Sequence, residues 1–102
     1  MVLSKRRKTP TETFLVGAEF KNRLGQGETI STPTITSRKL SDNSDSTATF
    51  LQGAAQIDPS GTLVKRRILA GADGDTHRVR YVVETNAGNT FEASQDWMVI
   101  AD

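Results

Sequence analysis

"ILAGADGDTHRVRYVVETNAGNTFEA", residues 68–93, decides the fold. Within it, "HRVRYVVET" puts Val79, Tyr81 and Val83 on one parity and Arg78, Arg80 and Glu84 on the other. Period-two alternation of apolar and charged residues is the pattern of a half-buried strand. "NAGN", residues 86–89, supplies a hairpin connection, because Asn86 and Gly88 tolerate positive φ. "TFEASQDWMVI" then returns as the last strand. Phe91, Ala93, Trp97 and Val99 share one parity and Met98 and Ile100 the other, so both faces are expected to be covered near its end. Gly71-Ala72-Asp73-Gly74-Asp75 precedes a strand and not a helix. A phosphate loop needs a helix N-terminus after it, so this loop reads as an inter-strand bend.

Working outward, the same grammar recurs. "TLVKRRIL" (62–69) alternates, with Val64, Arg66 and Ile68 on one side, and Val64 and Ile68 are expected to face the core. Asp58-Pro59-Ser60-Gly61 is a turn. "TATFLQ" (47–52) is a strand candidate with Phe50 in the core, and "SDNSDS" (41–46) a polar loop. "ETISTPTITSRKL" (28–40) is a threonine-rich strand region whose Pro33 cannot donate to a ladder, which marks an edge or a break. "ETFLVGAEF" (12–20) is β-rich, with Phe14, Val16 and Ala18 read as one face and Leu15 and Phe20 as the other. Gly17 falls where the two patterns meet, the place for a bulge or a switch between sheets. "AEFKNRL" (18–24) offers at most one helical turn. The count is about seven strands with turn signals roughly every 8–12 residues, the spacing of an antiparallel β-sandwich.

Composition limits the function. The chain has 102 residues, so one domain is expected. Residues 1–10, "MVLSKRRKTP", read as a flexible basic N-terminal tail and 11–102 as the sandwich domain. Lys plus Arg number 13 against 12 Asp plus Glu, a balance that argues against a dedicated nucleic-acid binder. Cysteine is absent, which excludes disulfides and thiolate metal sites. No stretch approaches the roughly 20 apolar residues of a membrane span. The basic N-terminus lacks the apolar run that an export signal carries behind its charges.

Few residues suggest chemistry. His77 is the one histidine, and a structural bond to nearby backbone suits it better than a catalytic triad. Asp73 and Asp75 could serve calcium only if Asp42, Asp45 or Asp58 converged on them, since calcium takes six to eight oxygens. No cofactor is expected. The candidate partner contacts are cationic: Lys5, Arg6, Arg7 and Lys8 in the tail, and Arg66, Arg78 and Arg80 on strands. A solvated strand face that discourages edge-to-edge pairing is the plainer reading of the strand arginines.

The order Gly71, Asp73-Gly74, His77-Arg78-Val79, Thr85, Gly88, Glu92, with Gly27-Glu28-Thr29-Ile30 upstream and Asp102 at the end, resembles a pattern in small structural proteins of tailed phages and prophages. The resemblance runs from about Phe14 to Asp102. Where the pattern usually has tyrosine, this chain has His77. Such proteins are compact immunoglobulin-like or fibronectin type III-like β-sandwiches of virions. The resemblance thus implies an all-β single sandwich working by protein–protein contact at the head–tail junction, the tail or the capsid surface, and no enzyme. Its implied partners are other phage structural proteins, with self-association through an edge strand such as that around Pro33. Membrane, specific nucleic acid and small-molecule substrate are not implied. The location would be the virion, reached through the host cytoplasm during assembly. The alternative is a stand-alone carbohydrate- or calcium-binding sandwich, which requires Asp73, Asp75 and another loop carboxylate to cluster at one end.

Overall fold

The structure, a computed structural model, describes the backbone of residues 2–101 and the side chains of residues 6–101. Eight strands and one helical turn follow in order: β1 Val2–Lys8, β2 Phe14–Glu19, β3 Ile30–Lys39, β4 Ser44–Asp45, α1 Thr47–Phe50, β5 Leu51–Ile57, β6 Leu63–Ile68, β7 Thr76–Thr85 and β8 Thr90–Val99. They form two sheets, ordered β1-β8-β7-β3-β4 and β2-β6-β5. The β8-β7-β3 and β2-β6-β5 runs reproduce the G-F-C and B-E-D orders of an immunoglobulin-like sandwich. All pairings are antiparallel except β1 with β8.

The central strand is the one whose alternation is plainest. Val79, Tyr81 and Val83 of β7 are fully buried, while Arg80 and Glu84 face out. They meet Val16, Ala18, Val64 and Ile68 from the opposing sheet, as expected for two apolar faces packed about 10 Å apart. Trp97 of β8 packs edge-on against Phe14 of β2, with ring centroids 5.3 Å apart. One polar side chain crosses this core. Gln95 Oε1 accepts from the Tyr81 hydroxyl (2.7 Å) and from Trp97 Nε1 (3.3 Å), and its Nε2 donates to the Gly17 carbonyl of the other sheet (2.8 Å). Each buried polar atom therefore has a partner, as a low-dielectric interior demands. Burial pushes the Tyr81 phenol well above its ordinary pKa.

Local expectations are met at the turns. Gly88 takes φ 83° in the β7–β8 connection, while Asn86 is not among the positive-φ residues. The Gly61 amide bonds the Asp58 carbonyl at 2.8 Å. The Glu28 carboxylate accepts from the Gly25 amide, the Thr85 hydroxyl and Asn89 Nδ2, which fastens the Gly27–Ile30 element to the β7–β8 hairpin. These bonds hold the Glu28 carboxyl below the usual range, the Gly25 bond foremost.

Four expectations need correction. Val2–Lys8, read as a flexible tail, form β1 along β8; an extended chain beside an unpaired strand edge satisfies both sets of backbone groups. Thr47–Phe50 is a helical turn and not strand, with Phe50 N–H reaching the Ser46 carbonyl at 2.8 Å. Phe20 lies just beyond β2 in phase with Val16 and Ala18 and is buried, whereas Leu15 is 43% exposed. Gly17 is not bulged: it sits opposite Lys65 in an unbroken ladder. A Cβ there would come within 2.7 Å of the Val64 carbonyl, so close backbone approach is what requires glycine.

Candidate interaction surface

The seven expected cations scatter rather than converge. The Lys5 side chain and Asp102 lie outside the described residues. Arg6 and Arg7 are exposed on β1, with the Arg6 guanidinium 6.0 Å from the Trp97 ring centroid. Lys8 is buried. Its Nζ donates to the Thr9 carbonyl at 2.7 Å and lies 5.9 Å from the Phe50 ring centroid. Desolvation lowers its pKa, against the opposing pull of Glu12.

Arg66 is held in a different way. It points between the sheets, where Nη1 donates to the Ile35 carbonyl of β3 at 2.6 Å and Nε to the Gly53 carbonyl of β5 at 2.9 Å. It is a clasp across one side of the sandwich and does not join Arg78 and Arg80. Those two project from the outer face of the larger sheet. Arg78 pairs with Asp96 through two bonds of 2.7 and 3.1 Å, and Arg80 with Glu92. The exposed Arg80–Glu92 pair contributes little to stability, whereas the Asp96 carboxylate is buried beneath Arg78; both pairs hold their guanidinium groups in fixed orientation.

Register brings Arg38 opposite Arg78 and Thr36 opposite Arg80. Together with Ser37, Asp45 and Thr47 they line a shallow depression of about 310 Å³. Arg38 was not among the expected residues. Its in-phase spacing with Thr34 and Thr36 was a usable signal, but only the β3–β7 register sets it beside Arg78. Arg7, opposite Met98 in β1, continues this polar face.

At one end, the Gly-Asp loop closes the turn into β7. Gly74 takes φ 93° and its amide bonds the Val99 carbonyl at 2.8 Å. Asp73 accepts the Ala101 amide at 2.9 Å, and Asp75 faces Lys39 at 3.5 Å. Asp42 serves Ser44, Asp45 serves the Thr47 amide, and Asp58 faces Lys65 at 3.5 Å. Among the described residues no group of three or more His, Asp or Glu is placed to hold a metal ion, so the carboxylate cluster required by the calcium alternative does not form.

The same end carries a cavity of about 370 Å³ lined by Lys39, Ser46, Phe50, Gly71, Asp75 and His77 among others. The His77 ring lies parallel to Phe50, centroids 4.0 Å apart. Its Nδ1 is 2.9 Å from Ser46 Oγ, which in turn bonds Ser37 Oγ. The partner is thus a side-chain hydroxyl and not the backbone group expected. A serine beside a histidine also raises acyl-transfer chemistry. Here Ser37, Ser46 and His77 are all buried, and Asp75, the carboxylate that acts on His77, is engaged by Lys39. The arrangement is a corner bond between the start of β7 and the β4–α1 segment, comparable to the tyrosine corner of related sandwiches. Burial lowers the His77 pKa, against Asp75 and with Lys39 and Lys8.

Comparison with known proteins gives one answer. A search of curated proteins finds no match. The family model of the podophage GP4 fiber-tail adaptor protein gp77 matches residues 8–96, a span running from the end of β1 into β8. The sandwich just described, whose ordered side chains serve packing and turn closure, is therefore a phage tail structural protein: the chain belongs to the podophage GP4 fiber-tail adaptor protein gp77 family.

Proposed function

We propose that this chain links a fibre component to a tail component of a phage virion, and that it does so by binding alone. The observation that carries the reading is the family match over residues 8–96, nearly the whole sandwich. The buried state of His77 and Ser46 supports a role without catalysis. The proposed contact face is the outer surface of the larger sheet, where Arg7, Arg38, Arg78 and Arg80 stand over the β1-β8-β7-β3 order. Oriented guanidinium groups suit carboxylates of a partner protein, because the planar fork makes two parallel bonds. Assembly from several copies in the host cytoplasm, before joining the virion, fits this reading.

The test uses the purified chain with the purified fibre and tail proteins encoded beside it. The expected result is a complex containing all three by size-exclusion chromatography with light scattering. Arg80→Glu should weaken it by about tenfold, roughly 1.4 kcal/mol, with the loss shrinking at high salt. Failure of the wild-type chain to bind either protein overturns the proposal.

A further inference from the structure

The sandwich has four long strand edges, and they are not equally protected. On one side lie the outer edges of β3 and β5. On β3, Pro33 has no N–H to offer, the Ile35 carbonyl is taken by Arg66, and Ser37 exchanges bonds with Thr47 Oγ1 and the Ser46 amide. β5 breaks register between Gln52 and Gln56, with Gly53 at φ 75°. These are the devices by which natural sheets refuse a foreign strand. On the other side, the outer edge of β1 carries Arg6 and Arg7.

β2 has one of these devices, the Gln95 bond to its Gly17 carbonyl, and lacks the others. Its six residues, Phe14–Glu19, contain no Pro, Lys or Arg, and they pair with β6 without a bulge. The Phe20 amide bonds the Thr62 carbonyl directly opposite. By alternation the even-numbered residues of β2 pair with β6, and the backbone groups of Leu15, Gly17 and Glu19 point to the free edge. The Gln95 bond to the Gly17 carbonyl comes from that side. In the usual sandwich the first strand lies beside this edge; here β1 lies on β8 instead, so the place is open. Beside it runs a groove of about 210 Å³ lined by Arg6, Leu15, Val16, Gly17, Gln95 and Trp97.

We propose that the β2 edge accepts an extended segment of a partner tail protein, added as a strand antiparallel to β2; this rests on the adaptor reading above. The segment would place apolar side chains over Val16 and Trp97 and acidic ones against Arg6 and against Arg67, which stands opposite Leu15. Charge selects this occupant over a second copy of the chain. Pairing two β2 edges would bring two basic β1 strands onto the same side, and like charges in close apposition oppose association.

The experiment measures amide hydrogen exchange on the full chain, alone and with the purified fibre or tail protein that binds it. The amides of Leu15, Gly17 and Glu19 should slow by about tenfold or more in the complex, as new ladder bonds protect them, while that of Ile35 stays unchanged. Leu15→Pro removes one outward N–H without touching the β6 ladder, and Leu15→Lys places a gatekeeper charge at the edge. Both should weaken binding by about tenfold, with thermal melting of Leu15→Lys unaltered. If a complex forms while the β2 amides stay unprotected and Leu15→Lys binds like wild type, strand addition is wrong and the adaptor reading stands. If neither protein binds, both fall. Protection of the same amides by raising the concentration of the chain alone would make a second copy the occupant and overturn the proposal.

Discussion

The two long sides of this sandwich solve one problem differently. On the β3–β5 side every inducement to foreign pairing is closed: a proline, a bulge, a helical turn and an arginine that reaches into both sheets. On the β1–β2 side, Gln95 alone among the residues described bridges from β8 to the backbone of β2. Both bridges use a buried or half-buried polar side chain to span two sheets. The difference is in what they leave outside. Arg66 caps the edge carbonyl of β3, whereas Gln95 takes one carbonyl of β2 and leaves the neighbouring edge groups outward. A protein that joins others needs one side kept from indiscriminate association and another free to engage, and the unequal treatment of the edges meets that requirement.

The comparison can be broken first at its open side. Gln95→Leu leaves the Tyr81 hydroxyl and the Trp97 indole N–H buried without acceptors and frees the Gly17 carbonyl. Unsatisfied buried groups cost about 1–3 kcal/mol apiece, so a loss of about 3 kcal/mol is expected in urea unfolding. A loss below about 1 kcal/mol would show that the core does not depend on this bridge. The closed side comes next. Arg66→Met keeps much of the apolar stem but uncaps the Ile35 and Gly53 carbonyls, and bonds from charged groups contribute about 1.5–3 kcal/mol. Stability should fall by about 2 kcal/mol, with a new tendency to associate at high concentration as the β3 edge opens. Unchanged light scattering would mean that Pro33 and Thr47 suffice to close it.

The smallest effect is a dependence on pH. His77, in the corner that backs the closed side, faces Asp75 from its own loop, Lys39 from β3 and Lys8 from β1. Its folded pKa lies below the unfolded value of about 6.5. As pH falls through that value the unfolded chain takes up a proton that the folded chain refuses, so stability declines from about pH 7 toward 5. His77→Tyr removes this titration, and the adjoining cavity has room for the larger phenol. Melting temperatures measured across that range should slope less for the variant than for wild type. Parallel slopes would show that the His77 titration does not carry the acid loss.

What could be read along the chain was local. The alternation of Val79, Tyr81 and Val83 announced the central strand, because a period of two leaves one choice of inward face once one parity is apolar. Gly88 and the Asp58–Gly61 turn were legible because backbone conformation there depends on the residues themselves. Phe20 was misplaced because a break in the alternation was expected at Gly17, whereas the unbroken β2–β6 ladder carries the Val16 and Ala18 parity on to it. Arg66 and Ser46 were illegible as structural residues, since their partners, Ile35 with Gly53 and His77, lie far along the chain, and Lys8 because the Phe50 ring that helps to bury it does too.

An all-β sandwich, its central hairpin and most of its core parity were already written in local pattern, since alternation and turn chemistry act within a few residues. That β1 lies on β8, that Arg66 closes one side, and that β2 is left with an open edge came from packing. These follow from which unpaired backbone groups and buried carbonyls come within hydrogen-bond reach once the sheets pack, a matter of three-dimensional neighbours that no local pattern encodes.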